Sequence, residues 1–491
     1  MAIQVIPENV SAFLKREHGI LIGGDWKTTN NSLDVIDPST GTRISEISEA
    51  SEADVNAAVS AARAGFESEE WTSFTPQARM RLLHRIGDLI EKNAEELAFL
   101  ETLDAGKPIS VSNAVDIQAS AGAFHYYAVW ADKIQGRTHN TSMPGEHHAF
   151  TLKEPVGVAA LITPWNYPMV MAAMKLAPAL AAGCACILKP AEDTSLSAIR
   201  LGELMIEAGV PAGIINIVTG RGAQSGAALS SHPDVDKVAF TGSTATGKMI
   251  AQAATGNLKK VTLELGGKSP NIILADADLE KAISAAAMAV FFNTGQTCTA
   301  VTRLYVEEAV HDQVLEGIAG VAKSLKVGGG LEDDTVIGPV ISERQLKRVK
   351  SYIEKGRNEG GEIIVGGNQI GDNGFFIEQT LIAGTTNDMT IVKEEIFGPV
   401  IAAQKFSGVD EVISLANDTT YGLSSSVWTQ NITHAHKIAR RLKTGQVGIN
   451  AAAVADWDLP IGGYKQSGWG RENGYDAVEN YLQTKSIAVA L

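Results

Sequence analysis

Cys298 and Glu264 are the residues whose types and spacing point to chemistry. Cys298 is one of three cysteines in 491 residues. It lies in Phe291-Phe292-Asn293-Thr294-Gly295-Gln296-Thr297-Cys298-Thr299, just after the apolar helical run Ala285 to Phe292. Glu264 sits in an apolar, strand-like segment followed by paired glycines, Leu263-Glu264-Leu265-Gly266-Gly267-Lys268. A thiol on a turn and a carboxylate at a strand end suit covalent catalysis followed by water activation. A lone cysteine is more often simple apolar packing, so the reading depends on the elements around it.

A second group of residues has the pattern of a phosphate site. Phe240-Thr241-Gly242-Ser243-Thr244-Ala245-Thr246-Gly247-Lys248-Met249 follows a strand and opens a helix. It nearly matches the P-loop, but Met249 stands where that motif needs a hydroxyl for Mg²⁺, which disfavours a nucleoside triphosphatase. The helix N-terminus remains a good anion site for a pyrophosphate. Lys189-Pro190-Ala191-Glu192 ends another strand. A carboxylate there can accept both ribose hydroxyls of an adenosine and repel a 2′-phosphate, which favours NAD over NADP. An ordinary structural turn and solvated loop charges are the competing readings of these two segments.

The elements that must hold these residues alternate along the chain. Residues 51 to 104 read as helical, with a Ser51/Asp54 capping box and a second helix starting at Thr75-Pro76. From Val158 to Leu265, short apolar strands alternate with helices, which predicts a parallel sheet covered on both faces. The alternation restarts near residue 270 and continues to about 470. The fold class is therefore α/β: a Rossmann-like parallel-sheet cofactor domain (1–130 and 151–262), a second α/β catalytic domain (263–470) and a small β oligomerisation element (131–150 and 471–491). Exposed strand edges in the last predict a homodimer or homotetramer.

Hydrophobic residues make up 45% and charged residues 20% of the chain, so a large core is expected. The net charge of −15 argues against nucleic acid or an anionic membrane as partner. The apolar stretch Met169 to Leu188 contains Lys175, Pro178 and Gly183 and reads as a buried helix followed by a strand, not a membrane span. Cys184 and Cys186 alternate faces of a strand and read as core. The histidines show no zinc spacing, so no metal is expected, and His147-His148 reads as an exposed loop pair. Few cysteines and no signal-peptide layout point to a reducing cytoplasm.

With these pieces in place the chain resembles an aldehyde dehydrogenase over nearly its whole length. The resemblance is carried in order by Pro164-Trp165-Asn166-Tyr167-Pro168, the Lys189, Phe240 and Leu263 segments, Gly295-Gln296-Thr297-Cys298, Glu395-Ile396-Phe397-Gly398-Pro399-Val400 and Gly462-Gly463-Tyr464-Lys465-Gln466-Ser467-Gly468. It implies that Cys298 attacks an aldehyde and that Asn166 with the Cys298 N–H holds the oxyanion. Glu264 would activate the water that hydrolyses the thioester. Lys175 and Glu472 match a buried polar pair assisting proton movement, with a plain internal salt bridge as the alternative. The resemblance places Lys189 and Glu192 at the adenine ribose, Gly242 and Ser243 at the pyrophosphate, and Glu395 at the nicotinamide ribose of NAD. Trp165 and Phe397 would wall the cofactor channel.

Positions resembling the substrate tunnel are Tyr167, Met171, Met174 and Phe292, then Thr297 and Thr299 flanking the nucleophile, and Ala455, Trp457 and Ile461. This apolar lining implies an aryl, arylalkyl or longer aliphatic aldehyde such as phenylacetaldehyde. Asp456-Trp457-Asp458 supports a rival, a betaine-aldehyde or aminoaldehyde dehydrogenase, because an aromatic face beside carboxylates suits an ammonium group. A CoA-acylating relative is disfavoured by Glu264, and a non-catalytic protein of the same fold by the presence of Cys298 and Asn166.

Overall fold

The computed structural model describes residues 3–452 and 456–491. Ala455, expected in the tunnel, lies outside the described residues. Among the described residues, an eight-stranded sheet runs in the order Gly468–Trp469, Lys260–Glu264, Lys237–Thr241, Val158–Ile162, Ala185–Lys189, Ile215–Ile217, Ile20–Ile22, Asp25–Lys27. Its central strands are parallel, and Val158–Ile162, Ala185–Lys189 and Lys237–Thr241 are buried at every position. Continuous apolar strands of this kind follow from helices covering both faces. The register sets Thr241 beside Glu264, and Glu264 beside Gly468.

Helices Glu52–Glu67 and Pro76–Lys92 begin as their sequences predict. Ser51 and Asp54 form the reciprocal capping box, and Thr75 caps the second helix with Pro76 at its first turn. The helix Pro168–Ala182 is buried along nearly all its length and ends at Gly183, whose φ of +94° is left-handed. It is packed on the sheet and delivers Met171, Met174 and Lys175 from the segment that starts at Asn166.

A seven-stranded sheet follows, ordered Glu362–Val365, Thr380–Ala383, Val400–Phe406, Arg303–Glu307, Pro270–Ile273, Ser426–Trp428, Gly448–Ile449. Leu482–Ala490 pairs antiparallel with His147–Pro155, which pairs in turn with Thr138–His139. His147 and His148 are thus strand residues opposite Ala490 and Val489, not a loop pair: partnering by the distant C-terminus overrides the local polar composition. The strands Ile20–Ile22 and Asp25–Lys27 and the hairpin Ser32–Asp37/Thr42–Ser48 carried no sequence expectation. Gly468–Trp469 rejoins the first sheet, so the chain has already returned there before residue 470.

Candidate active site

Strand Lys260–Glu264 belongs to the first sheet and Pro270–Ile273, shortly after it, to the second. Between the two sheets lies a cavity of about 1220 Å³. Asn166, Ser243 and Glu264 reach it from the first sheet's side, and Cys298, Glu395 and Phe397 from the second.

The turn bearing Cys298 is tightly held. Asn293, Thr294 and Gly295 have successive φ values of +49°, +54° and +72°, a left-handed run after the helix Leu279–Phe291. Asn293 Nδ2 donates to the Asn166 carbonyl at 3.0 Å, and Gln296 Nε2 donates back to the Asn293 carbonyl at 3.1 Å. The Ile341 N–H donates to Gln296 Oε1 at 2.8 Å. Gly295 packs against the Gly398 carbonyl, where a Cβ would overlap it. Asn166 Nδ2 donates to the Gln296 carbonyl at 2.8 Å. One N–H of that amide is thereby spent on the turn, and the other is available to an oxyanion. Sequence reasoning quoted Asn293 and Gln296 in the Cys298 segment but gave their side chains no role. The Asn-Thr-Gly run was the available signal, since Asn and Gly tolerate left-handed backbone.

The surroundings shift both the Cys298 thiol and the Glu264 carboxyl toward their neutral forms. Burial, with Glu395 and Glu264 nearby, pushes the Cys298 thiol up to about 12. Burial, then the charge of Glu472, raises Glu264 well above the ordinary carboxylate range, and Lys175 opposes that rise. The Lys175 ammonium, fully buried, pairs with Glu472 Oε1. Neither Lys175 nor Glu472 lines the cavity; they act on Glu264 through the field. Glu264 Oε1 is buried without a hydrogen-bond partner.

Glu395 Oε1 accepts from the Gly267 N–H at 3.0 Å, and Gly266 approaches the same carboxylate so closely that any side chain would displace it. Arg348, another cavity residue missed from sequence, donates to the Glu395 carbonyl at 2.6 Å. Trp165 and Phe397 meet edge to face, with ring centroids 5.2 Å apart. Gly242 and Ser243 line the same cavity, and Ser243 caps the helix Thr244–Ala254. Thr241 Oγ1, also at the cavity, is buried without a partner. Lys189 and Glu192 pair with each other at 3.2 Å and do not line this cavity.

On the other side, Tyr167, Met171, Met174, Phe292 and Ile461 form a largely apolar wall with Trp457. Thr297 and Thr299 both reach the cavity, and the Tyr167 hydroxyl bonds Thr297 Oγ1 at 2.8 Å. Asp456 lines the cavity, whereas Asp458 accepts from the Tyr126 hydroxyl at 2.8 Å. Asp116 also lines it and was not expected.

The sequence profile of the aldehyde dehydrogenase family matches residues 26–487. An aldehyde dehydrogenase from Bacillus cereus, solved as an NAD⁺ complex, is 45% identical and superposes with a TM-score of 0.98 over 100% of both chains. Phenylacetaldehyde dehydrogenase of Pseudomonas fluorescens is 44% identical over 485 residues, 97% of each chain. Betaine aldehyde dehydrogenase of Staphylococcus aureus, also solved with NAD⁺, is 40% identical with a TM-score of 0.96 over 98% of this chain and 97% of that one. The chain belongs to the aldehyde dehydrogenase family. It is an enzyme of that family, with mixed α/β architecture, and its solved neighbours include NAD⁺ complexes. Among the described residues, no helix is long and apolar enough to cross a membrane.

Proposed function

We propose that the enzyme uses NAD to oxidise an arylalkyl aldehyde of the phenylacetaldehyde type to its carboxylic acid, through covalent chemistry at Cys298. The observation that carries this reading is the apolar wall of Met171, Met174, Phe292, Ile461 and Trp457 in the cavity that also holds Cys298 and Glu264. Such a wall rewards burial of a ring and offers an aliphatic or aryl chain nothing polar to satisfy.

The donors fit a dinucleotide. Thr241 Oγ1 lacks a partner, the capped helix start at Ser243 opens on the cavity, and Glu395 is held in place by the Gly267 N–H. Gly242 and Ser243 would take the pyrophosphate, Glu395 the nicotinamide ribose, and Trp165 with Phe397 would wall the ring. Lys189 and Glu192, outside the cavity, would hold the adenine ribose. When bound, NAD supplies the hydride acceptor.

In the proposed sequence, Cys298 Sγ loses its proton and attacks the aldehyde carbon. The free Asn166 N–H and the Cys298 backbone N–H hold the resulting oxyanion. After oxidation the acyl group remains as a thioester on Sγ. Glu264, as carboxylate, takes a proton from water, which adds to the thioester carbon; the acid leaves and Cys298 regains its thiol. The Lys175–Glu472 pair next to Glu264 sets how easily that carboxylate ionises and can receive its proton. Glu264 in the cavity speaks against CoA acylation.

The runner-up, an aminoaldehyde or betaine aldehyde, draws on Asp456 beside Trp457. Asp458 adds less to it, because it is engaged by Tyr126. The test is NADH formation without CoA from phenylacetaldehyde, hexanal and betaine aldehyde. The highest kcat/KM for phenylacetaldehyde supports the proposal; a preference for betaine aldehyde replaces it with the runner-up. Cys298→Ser should abolish the activity.

We further read the eight-stranded sheet as the cofactor domain, the seven-stranded sheet as the catalytic domain, and the Leu482–Ala490 sheet as the oligomerisation element. Leu482–Ala490 is an edge strand with mostly exposed side chains. A dimer or tetramer follows, and a monomer by light scattering at micromolar concentration would overturn it. The three free cysteines suit a reducing compartment such as the cytoplasm.

A further inference from the structure

Beneath the Tyr167 ring lies a buried charged cluster that the oxidation chemistry leaves unused. Lys107 Nζ is 2.7 Å from Asp116 Oδ2 and 4.0 Å from Glu101 Oε1. It also lies 4.0 Å from the centroid of the Tyr167 ring. The side chains of Lys107, Asp116 and Glu101 are all at most 1% exposed. Glu101 Oε1 accepts from the Met169 N–H at 3.3 Å, at the first turn of Pro168–Ala182. Tyr167 and Asp116 both line the cavity, and the Tyr167 hydroxyl bonds Thr297, the neighbour of Cys298.

An apolar residue under the ring would pack without any desolvation cost. A buried ammonium instead needs carboxylates to satisfy it and gains from the negative face of the ring. The hydrogen bond to Asp116, with Glu101 4.0 Å away, holds the Lys107 ammonium as a point against which the ring settles. We propose that Lys107 is a positioning residue that fixes the Tyr167 ring at the cavity wall beside Cys298, and thereby sets how well an aryl group is seated for attack. This rests on the arylalkyl reading above only for the choice of substrate.

The test is a double-mutant cycle of Lys107→Met and Tyr167→Leu in the full-length enzyme with NAD. The substrates are phenylacetaldehyde and acetaldehyde, the latter too short to need the ring. Lys107→Met should lower kcat/KM for phenylacetaldehyde by roughly tenfold, mainly through KM, and change acetaldehyde turnover less than about twofold. In the Tyr167→Leu background the same substitution should have almost no effect on the aryl substrate, because the two residues act as one unit. Additive losses, or equal losses for both aldehydes, would overturn the proposal and leave Lys107 a purely structural ion. If Lys107→Met does not fold, Lys107→Met/Asp116→Asn/Glu101→Gln removes all three charges of the cluster and is read the same way. If wild type ignores phenylacetaldehyde, the substrate reading fails alone, and the cycle is run on whichever longer aldehyde it turns over fastest.

Discussion

In the enzyme without cofactor, Cys298 should behave as an unusually weak acid. Burial is the main cause, and Glu395 and Glu264 add their charges; together they hold the thiol at about 12, against an ordinary value of 9.0. At pH 8 an ordinary thiol of that kind is ionised in about one molecule in eleven, whereas Cys298 would be a thiolate in about one in ten thousand. Iodoacetamide reacts only with the thiolate. Its rate of alkylating Cys298 should therefore rise about tenfold per pH unit from 7 to 10 without levelling off. The Cys298→Ser variant corrects for labelling at Cys184 and Cys186, both buried. Saturating NAD should move the profile to lower pH, because the cationic nicotinamide ring offsets the two carboxylates. Glu395→Gln should shift it the same way without cofactor. An alkylation rate that levels off below pH 9 in the cofactor-free enzyme would refute the reasoning, since it would mean an unrecognised positive field at Sγ.

Three further outcomes follow from the site. Glu264→Gln should leave a rapid burst of about one NADH per active site and slow the later turnover by 10²–10⁴-fold, as stopped-flow absorbance would show; loss of the burst would place Glu264 in the first half-reaction instead. Lys175→Met should destabilise the fold by about 3–5 kcal/mol by leaving Glu472 buried and unpaired, read as a lower Tm. Because Lys175 lowers Glu264, the same variant should also move the pH–rate profile of deacylation to higher pH: the base is active only as carboxylate, so its activity is lost as pH falls through its raised value. Gly295→Ala should cost about 1–2 kcal/mol for the left-handed backbone alone, and its overlap with Gly398 should displace the Cys298 turn. Its kcat should fall more than its Tm suggests; unchanged kcat would show that the turn does not set the thiol.

The alternating strands from Val158 to Leu265, the capping box at Ser51 and Asp54, and the turn at Cys298 were all legible because each depends on residues close in sequence. Motifs with fixed spacing also picked out Cys298, Asn166 and Glu264, which line one cavity. His147 and His148 were misread because their strand exists only through pairing with Val489 and Ala490, more than three hundred residues away. Lys107 and Asp116 carried no motif, and Asn293 and Gln296, though quoted in the Cys298 segment, had no role assigned; what each does comes from what it meets across the fold. The sequence by itself determined which chemical groups this protein has and the order of elements that carries them. Tertiary structure alone decided their protonation and reach. Burial of Cys298 near Glu395 and of Glu264 near Glu472 brings charges together from distant segments, and the fold sets the Lys107 ammonium against the distant Tyr167 ring; the energy of a charge depends on its surroundings in space, not on its neighbours along the chain.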